Sequence, residues 1–454
     1  MGDLLNEPLN LPCGAVLKNR IAKAAMTEGL ADAFNRPTHA HPNLYRRWSK
    51  SGAGLLITGN VMVDRRYLEH PGNVAIEDDS SLKELTVWAN SGVIAGNHLW
   101  MQLSHAGRQT PKAIASKPVG PSAIGAHALG KSTGRPKALK LNEITDIIER
   151  FALAAAVARE AGFTGVQIHA AHGYLISEFL SPLANRRKDE YGGPIEHRAR
   201  LLIEIVRAVR EAVGDDFPIG VKLNSADFQK GGFSVDDCLA VSKYLNAENI
   251  DLLEISGGNY EAPAMLMGND GAKSVGTHQM SLPREAFFLE YAKLIREQIS
   301  TPLMVTGGFR SRAVMLDALE QNQLDMIGLA RPFCVQTDFP KGLLQASLDQ
   351  APSIENRVRL GPGPLSGKSV FKIIRQLNHV AVMSWCWMQM HRLGNNLEPD
   401  WEIGAFEAMR DYLRMEQDMT DELIRDVPRK TAAIAIKRPA TVAQAEPDID
   451  WLDH

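Results

Sequence analysis

The sequence predicts an α/β fold, a (β/α)8 TIM barrel with a C-terminal helical extension. Eight short apolar, β-rich runs recur over roughly the first 340 of its residues, and most precede a stretch with apolar residues at helical spacing. No G-x-G-x-x-G follows any of these runs, which weighs against the competing doubly wound sheet.

The strand-like runs are 21–27, 55–61, 99–105, 165–170, 219–224, 252–256, 302–306 and 326–330. Amphipathic stretches at 141–161, 194–213, 234–246 and 283–299 read as the helices between them. In the first of these, Ile144, Ile147, Ile148, Phe151 and Ala155 share a face. Asn142, Glu143 and Asp146 suit its start and Gly162 its stop. Two segments break the repeat. Residues 107–140 form a long insertion rich in Gly, Pro, Lys and Ala, of the kind that makes lids and binding loops. After about residue 342, Gly361-Pro-Gly-Pro364 interrupts the chain, and 369–391 and 405–423 read as helices. The expected division is therefore a barrel over 1–345, a helical extension over 346–430 and a loosely held tail over 431–454. The extension's seat is open: the barrel's base and contact with a second chain in a homo-oligomer both suit it.

Composition narrows the function. At 44% hydrophobic, 23% charged and a formal charge of -3, the chain has no bulk attraction for nucleic acid or an anionic membrane. No apolar run reaches the roughly 18 residues that span a bilayer, and the N-terminus lacks signal-peptide character. A cytoplasmic protein is the expectation. Cys13, Cys238, Cys334 and Cys386 are scattered without C-x-x-C spacing, so no zinc or iron–sulfur site is expected.

In a barrel of this type the active site gathers at the C-terminal ends of the strands. The fourth run leads into His169-Ala-Ala-His172-Gly-Tyr174, two imidazoles and a phenol within six residues. Buried polar rings need partners, and this set suits holding a carbonyl and delivering a proton. Gln102 and Lys222 are polar residues inside apolar runs; they read either as a satisfied interior pair or as contacts to a heterocycle. The seventh and eighth runs end in Gly307-Gly308 and Gly328-Leu-Ala330-Arg331, where barrels commonly hold a phosphate group.

The block 169–174, with Asp189-Glu-Tyr-Gly192-Gly193 behind it, resembles the substrate-binding signature of the Old Yellow Enzyme family. Leu17-Lys-Asn-Arg-Ile21, Leu44-Tyr-Arg-Arg-Trp48 and Gln102-Leu-Ser-His-Ala-Gly107-Arg108-Gln109 extend the resemblance over about residues 1–340, in family order. It implies FMN at the barrel mouth, bound without a covalent link and reduced by NAD(P)H. Ala25, Met26 and Thr27 would line the flavin, and Gly59, Gln102 and Lys222 would contact its rings. Gly307, Gly308, Gly328, Ala330 and Arg331 would bind its phosphate. His169 and His172 would hold the carbonyl of an enone or enal, and Tyr174 would protonate the α-carbon. Lys222 departs from the family pattern, in which many members carry Arg. Other readings are a same-fold flavin dehydrogenase or demethylase acting on an amine or alcohol, a metal-dependent barrel lyase or hydrolase using the two histidines, and a silent scaffold.

Overall fold

Eight parallel strands close into one barrel in this computed structural model, which describes residues 3–126, 132–257, 288–355 and 357–426. They are β1 (Ile21–Lys23), β2 (Leu55–Met62), β3 (His98–Ser104), β4 (Val166–Ala170), β5 (Ile219–Asn224), β6 (Leu252–Ser256), β7 (Leu303–Thr306) and β8 (Met326–Leu329). Each pairs with the next in the chain, and β8 returns to β1. All eight fall on the expected runs. The first is shorter than expected: the ladder ends at Lys23, and the backbone of Ala24 makes one last bond to Leu329. Ala25, Met26 and Thr27 are thereby released from the sheet at its C-terminal rim.

The intervening helices are α1 (Ala40–Ser49), α2 (Leu82–Gly92), α3 (Leu141–Glu160), α4 (Ile195–Val213), α5 (Val235–Ala247), α6 (Leu289–Arg296) and α7 (Arg312–Glu320). At the start of α3, Glu143 accepts the Lys140 N–H at 2.9 Å, so the acidic first turn caps the helix as its sequence suggests. Gly162, at φ 94°, ends it. Of the helix expected over 283–299, the described part is α6; residues 283–287 and the tail 431–454 lie outside the described residues. The insertion holds two short paired strands, Val119–Gly120 and Lys137–Ala138.

Strand alternation sorts side chains into two populations. Val166, Ile168, Val221, Leu223, Leu253 and Ile255 face the helices and join the main core. Ala22, Leu55, Ile57, Trp100, Leu252, Met304 and Met326 face the barrel axis as a separate apolar plug. Leu9, Leu11 and Leu17, from the hairpin pairing Leu9–Asn10 with Val16–Leu17, pack against that plug and close the base. The C-terminal helices α8 (Lys372–Gly394) and α9 (Ala405–Asp426) therefore do not sit on the base, one of the two seats the sequence left open. They pack beside α1 and reach the loops that leave the strands at the opposite rim. His391 Nε2 lies 3.1 Å from the carbonyl oxygen of Glu28. A Cβ on Gly72 would collide with Met419.

Candidate active site

Above the apolar plug the inward positions turn polar, one strand residue at a time. Gln102, Gln167, Lys222 and Glu254 occupy the next level, all buried. They form one chain: Gln102 Nε2 donates to Gln167 Oε1 at 2.7 Å, Gln167 Nε2 donates to Glu254 Oε2 at 2.7 Å, and Lys222 Nζ lies 2.8 Å from Glu254 Oε1. Gln102 and Lys222, singled out in the sequence, thus sit in one network, and the Lys222 ammonium has its anionic partner within the protein. Gln167 and Glu254 went unnoticed although they carry the same signal, a polar residue inside an apolar run.

The rim level contains Asn60, Ser104, His169, Asn224 and Ser256. A register shift between Ile57 and Asn60 in β2 aims Asn60 toward β4. His169 Nδ1 lies 2.8 Å from Asn60 Oδ1 and 3.4 Å from Ser104 Oγ. Its Nε2 meets Nδ1 of His172 at 3.1 Å, and His172 Nε2 lies 3.0 Å from Ser256 Oγ. His172 reaches this place because it and Gly173 both take positive φ, 63° and 78°. That conformation is unfavourable for a side chain with a Cβ, and surrounding bonds hold it: Asn224 Oδ1 accepts the His172 N–H at 3.1 Å, and Gln109 Nε2 donates to the His172 carbonyl at 2.9 Å.

Burial, then the charge of Lys222, holds the pKa of His169 well below the usual imidazole value; for His172 the neighbouring His169 adds to both. Both rings are neutral at physiological pH. Tyr174 is buried, its ring 4.9 Å from that of His169, in an apolar group with Met62, Leu68 and Ala106. Leu423 of α9 and Ile114 of the insertion pack on the same group. Among the described residues, no group of three His, Cys, Asp or Glu side chains is arranged to hold a metal ion.

The segment 25–27 crosses the rim beside Gly59. A Cβ on Gly59 would collide with the Met26 carbonyl oxygen and the Glu28 carboxylate, so glycine permits this approach. Glu28 accepts the Gly59 N–H at 2.9 Å and the Tyr45 hydroxyl, pinning the two loops together. The Thr27 hydroxyl lies 3.1 Å from each oxygen of Glu69, a residue that sequence reasoning missed. Lys23, also missed, is fully buried behind this segment: it donates to Ile57 O at 2.6 Å, and its Nζ lies 4.3 Å from the centre of the Trp48 ring. Burial brings its pKa down to about 8 against the opposing charge of Glu28.

Across the rim, Gly307 and Gly308 take φ of 132° and 86°. Among the described residues, the buried Thr306 hydroxyl oxygen has no hydrogen-bond partner, and a Cβ on Gly328 would run into it. Arg331 follows Ala330 and pairs with Glu355, which also lies 2.8 Å from Arg310. Burial alone would raise the Glu355 carboxyl, but the two guanidiniums outweigh it and hold it low. A glycine turn, an orphan hydroxyl and two arginines at one side of the mouth fit a phosphate. A buried polar chain and neutral imidazoles fit the rest of a flavin and its reaction partner.

A closed parallel barrel with these features is the architecture of a flavin-dependent oxidoreductase. The chain belongs to the NADH:flavin oxidoreductase / NADH oxidase family, whose model matches residues 5–349. It is 39% identical over 356 residues to the NADH-dependent flavin oxidoreductase iliE of Hypocrea jecorina (strain QM6a), covering 74% of this chain and 88% of the relative. Among solved structures it resembles the Old Yellow Enzyme homologue of Zymomonas mobilis, with TM-score 0.65, 28% identity, and 77% and 95% of the two chains covered. A 2-naphthoyl-CoA reductase in complex with 2-naphthoyl-CoA matches with TM-score 0.70 and 25% identity over 77% of this chain; that alignment spans about half of the reductase, 54%. FMN is the cofactor and NAD(P)H the reductant.

Proposed function

We propose that the protein reduces the activated C=C bond of α,β-unsaturated carbonyl compounds. FMN, when bound, supplies the hydride that it has taken from NAD(P)H. The residues that would hold it are Ala25, Met26 and Thr27 along one edge, Gly59, Gln102 and Lys222 against the rings, and Gly307, Gly308, Gly328, Ala330 and Arg331 around the phosphate. The Lys222 ammonium, paired with Glu254, would put positive charge beside a reduced ring system and so offset its negative charge.

The observation that carries the reading is the meeting of His169, His172 and Tyr174 at the mouth, buried and within ring contact. Neutral imidazoles polarise a carbonyl oxygen by hydrogen bonding without protonating it, which draws electron density from the β-carbon. Hydride enters at that carbon, and the Tyr174 hydroxyl gives its proton to the α-carbon, leaving the saturated carbonyl compound. A phenol with pKa near ~10 keeps its proton at neutral pH and is suited to this step. Amine oxidation would call for an open aromatic cage. Among the described residues, the rings of His70, Trp387 and Tyr412 contact one another, Trp387 and Tyr412 at 5.1 Å.

The test is product analysis of the FMN-loaded protein with NADH and 2-cyclohexenone under nitrogen. Cyclohexanone formed one-for-one with NADH consumed is expected. NADH consumption without the saturated ketone would overturn the assignment.

A further inference from the structure

We propose that Leu423 of α9, with Ile114 of the insertion, bounds the space beside Tyr174 and decides what the substrate's α-carbon can carry: an apolar substituent, of a size that Leu423 limits. The inference deepens the function proposed above and rests on it, because it takes Tyr174 as the group that faces the α-carbon.

The C-terminal helices are fastened to the loops that leave β1 and β2. On α8, His391 meets the Glu28 carbonyl, and the ring of Trp387 lies 3.6 Å from that of His391 and 5.8 Å from that of His70. On α9, Tyr412 lies 6.2 Å from His70, ring centre to ring centre. One turn on, burial and the charge of Glu69 raise the Glu416 carboxyl. Met419 then fits against Gly72, where a Cβ would meet both the Met419 methyl and the Gly29 carbonyl oxygen. Glycine is what lets helix and loops come this close. Tyr412, Glu416, Met419 and Leu423 recur at helical spacing, so one face of α9 runs along the loop after β2.

At the end of that row Leu423 packs on the apolar group of Met62, Leu68, Ala106 and Tyr174. All four are buried, whereas Leu423 and Ile114, one from each segment added to the barrel, are half-buried. Fully buried members have little surface left to offer. A substituent that reaches this group gains by covering the accessible parts of Leu423 and Ile114, and that gain is apolar. A polar substituent would lose its water beside side chains that carry no donor or acceptor in exchange. The next residue on the helix, Ile424, is 47% exposed, so α9 presents Leu423 and not Ile424 to the tyrosine group. Leu423 is thus a specificity-determining residue supplied from outside the barrel.

The test compares kcat/KM for 2-methyl-2-cyclohexenone and for 2-cyclohexenone, with NADH under nitrogen. The FMN-loaded proteins are wild type, Leu423→Ala, Leu423→Phe and Ile424→Ala. The ratio of the two values cancels any loss of folded protein or of FMN occupancy. Leu423→Ala is expected to raise the ratio about tenfold and Leu423→Phe to lower it by a similar factor. Ile424→Ala shortens an exposed side chain of the same size one position on, and is expected to keep the wild-type ratio. A ratio unmoved in both Leu423 variants would overturn the proposal. An equal change in Ile424→Ala would also overturn it, because the effect would then come through the helix and not through the contact. If wild type reduces neither enone, the function above falls and this inference with it. If it reduces 2-cyclohexenone and the ratio ignores Leu423, only this inference falls.

Discussion

His169 and His172 meet through a single hydrogen bond, Nε2 to Nδ1 at 3.1 Å, in surroundings that keep both rings uncharged. They share this condition with other buried histidines. Burial brings His41 and His70 down to about 3 and His105 and His391 down to about 4. The sign of the consequence is fixed: a folded pKa below the unfolded value means that the unfolded chain binds more protons, so stability falls as pH drops through the unfolded value near ~6.5. Each such histidine costs up to about 2 kcal/mol by pH 5. Urea midpoints measured from pH 8 to pH 5 should fall steeply below about pH 6.5, and a flat profile would contradict the assigned neutral state. Over pH 6–8 the rate of the oxidative half-reaction should show no inflection from this pair.

Arg331 tests the phosphate end. Replacing it with Ala removes one charge-assisted contact but leaves Glu355 paired with Arg310, so the fold should survive. FMN affinity should weaken about ten- to a hundredfold, measured by fluorescence titration of the apoprotein. Unchanged affinity would take Arg331 out of the phosphate site.

Lys222 and Glu254 form a buried pair 2.8 Å apart. Breaking such a pair on one side leaves the other charge uncompensated, at about 3–5 kcal/mol. Glu254→Gln should therefore lower stability strongly, while Glu254→Gln combined with Lys222→Met should recover a large part of the loss. Strictly additive losses in urea denaturation would mean that the two charges do not depend on each other.

The barrel was legible in the sequence because each strand is local: a short apolar, β-rich run is written within five to seven residues. Much of the rim was legible for the same reason, since residues closing a strand are known once the strand is. Gln167 and Glu254 were within reach of the argument that flagged Gln102 and Lys222. Glu69 was not. It lies in the loop after β2, and its importance comes from Thr27, Asn60 and Asn73 converging on it in space. The seat of α8 and α9 was equally hidden, because an amphipathic helix shows which face it buries but not against what. The answer lies in distant contacts such as His391 with Glu28 and Met419 with Gly72.

The most direct test of the account separates the two half-reactions in wild type and Tyr174→Phe. The protein is reduced anaerobically with NADH and mixed with 2-cyclohexenone while flavin absorbance is followed. Phe keeps the ring packed against Met62, Leu68 and Ala106 and removes only the hydroxyl. Reduction by NADH should be nearly unchanged in the variant, and reoxidation by the enone should slow by about a hundredfold or more. Equal rates of reoxidation in the two proteins, or equal slowing of both halves, would contradict proton delivery by Tyr174.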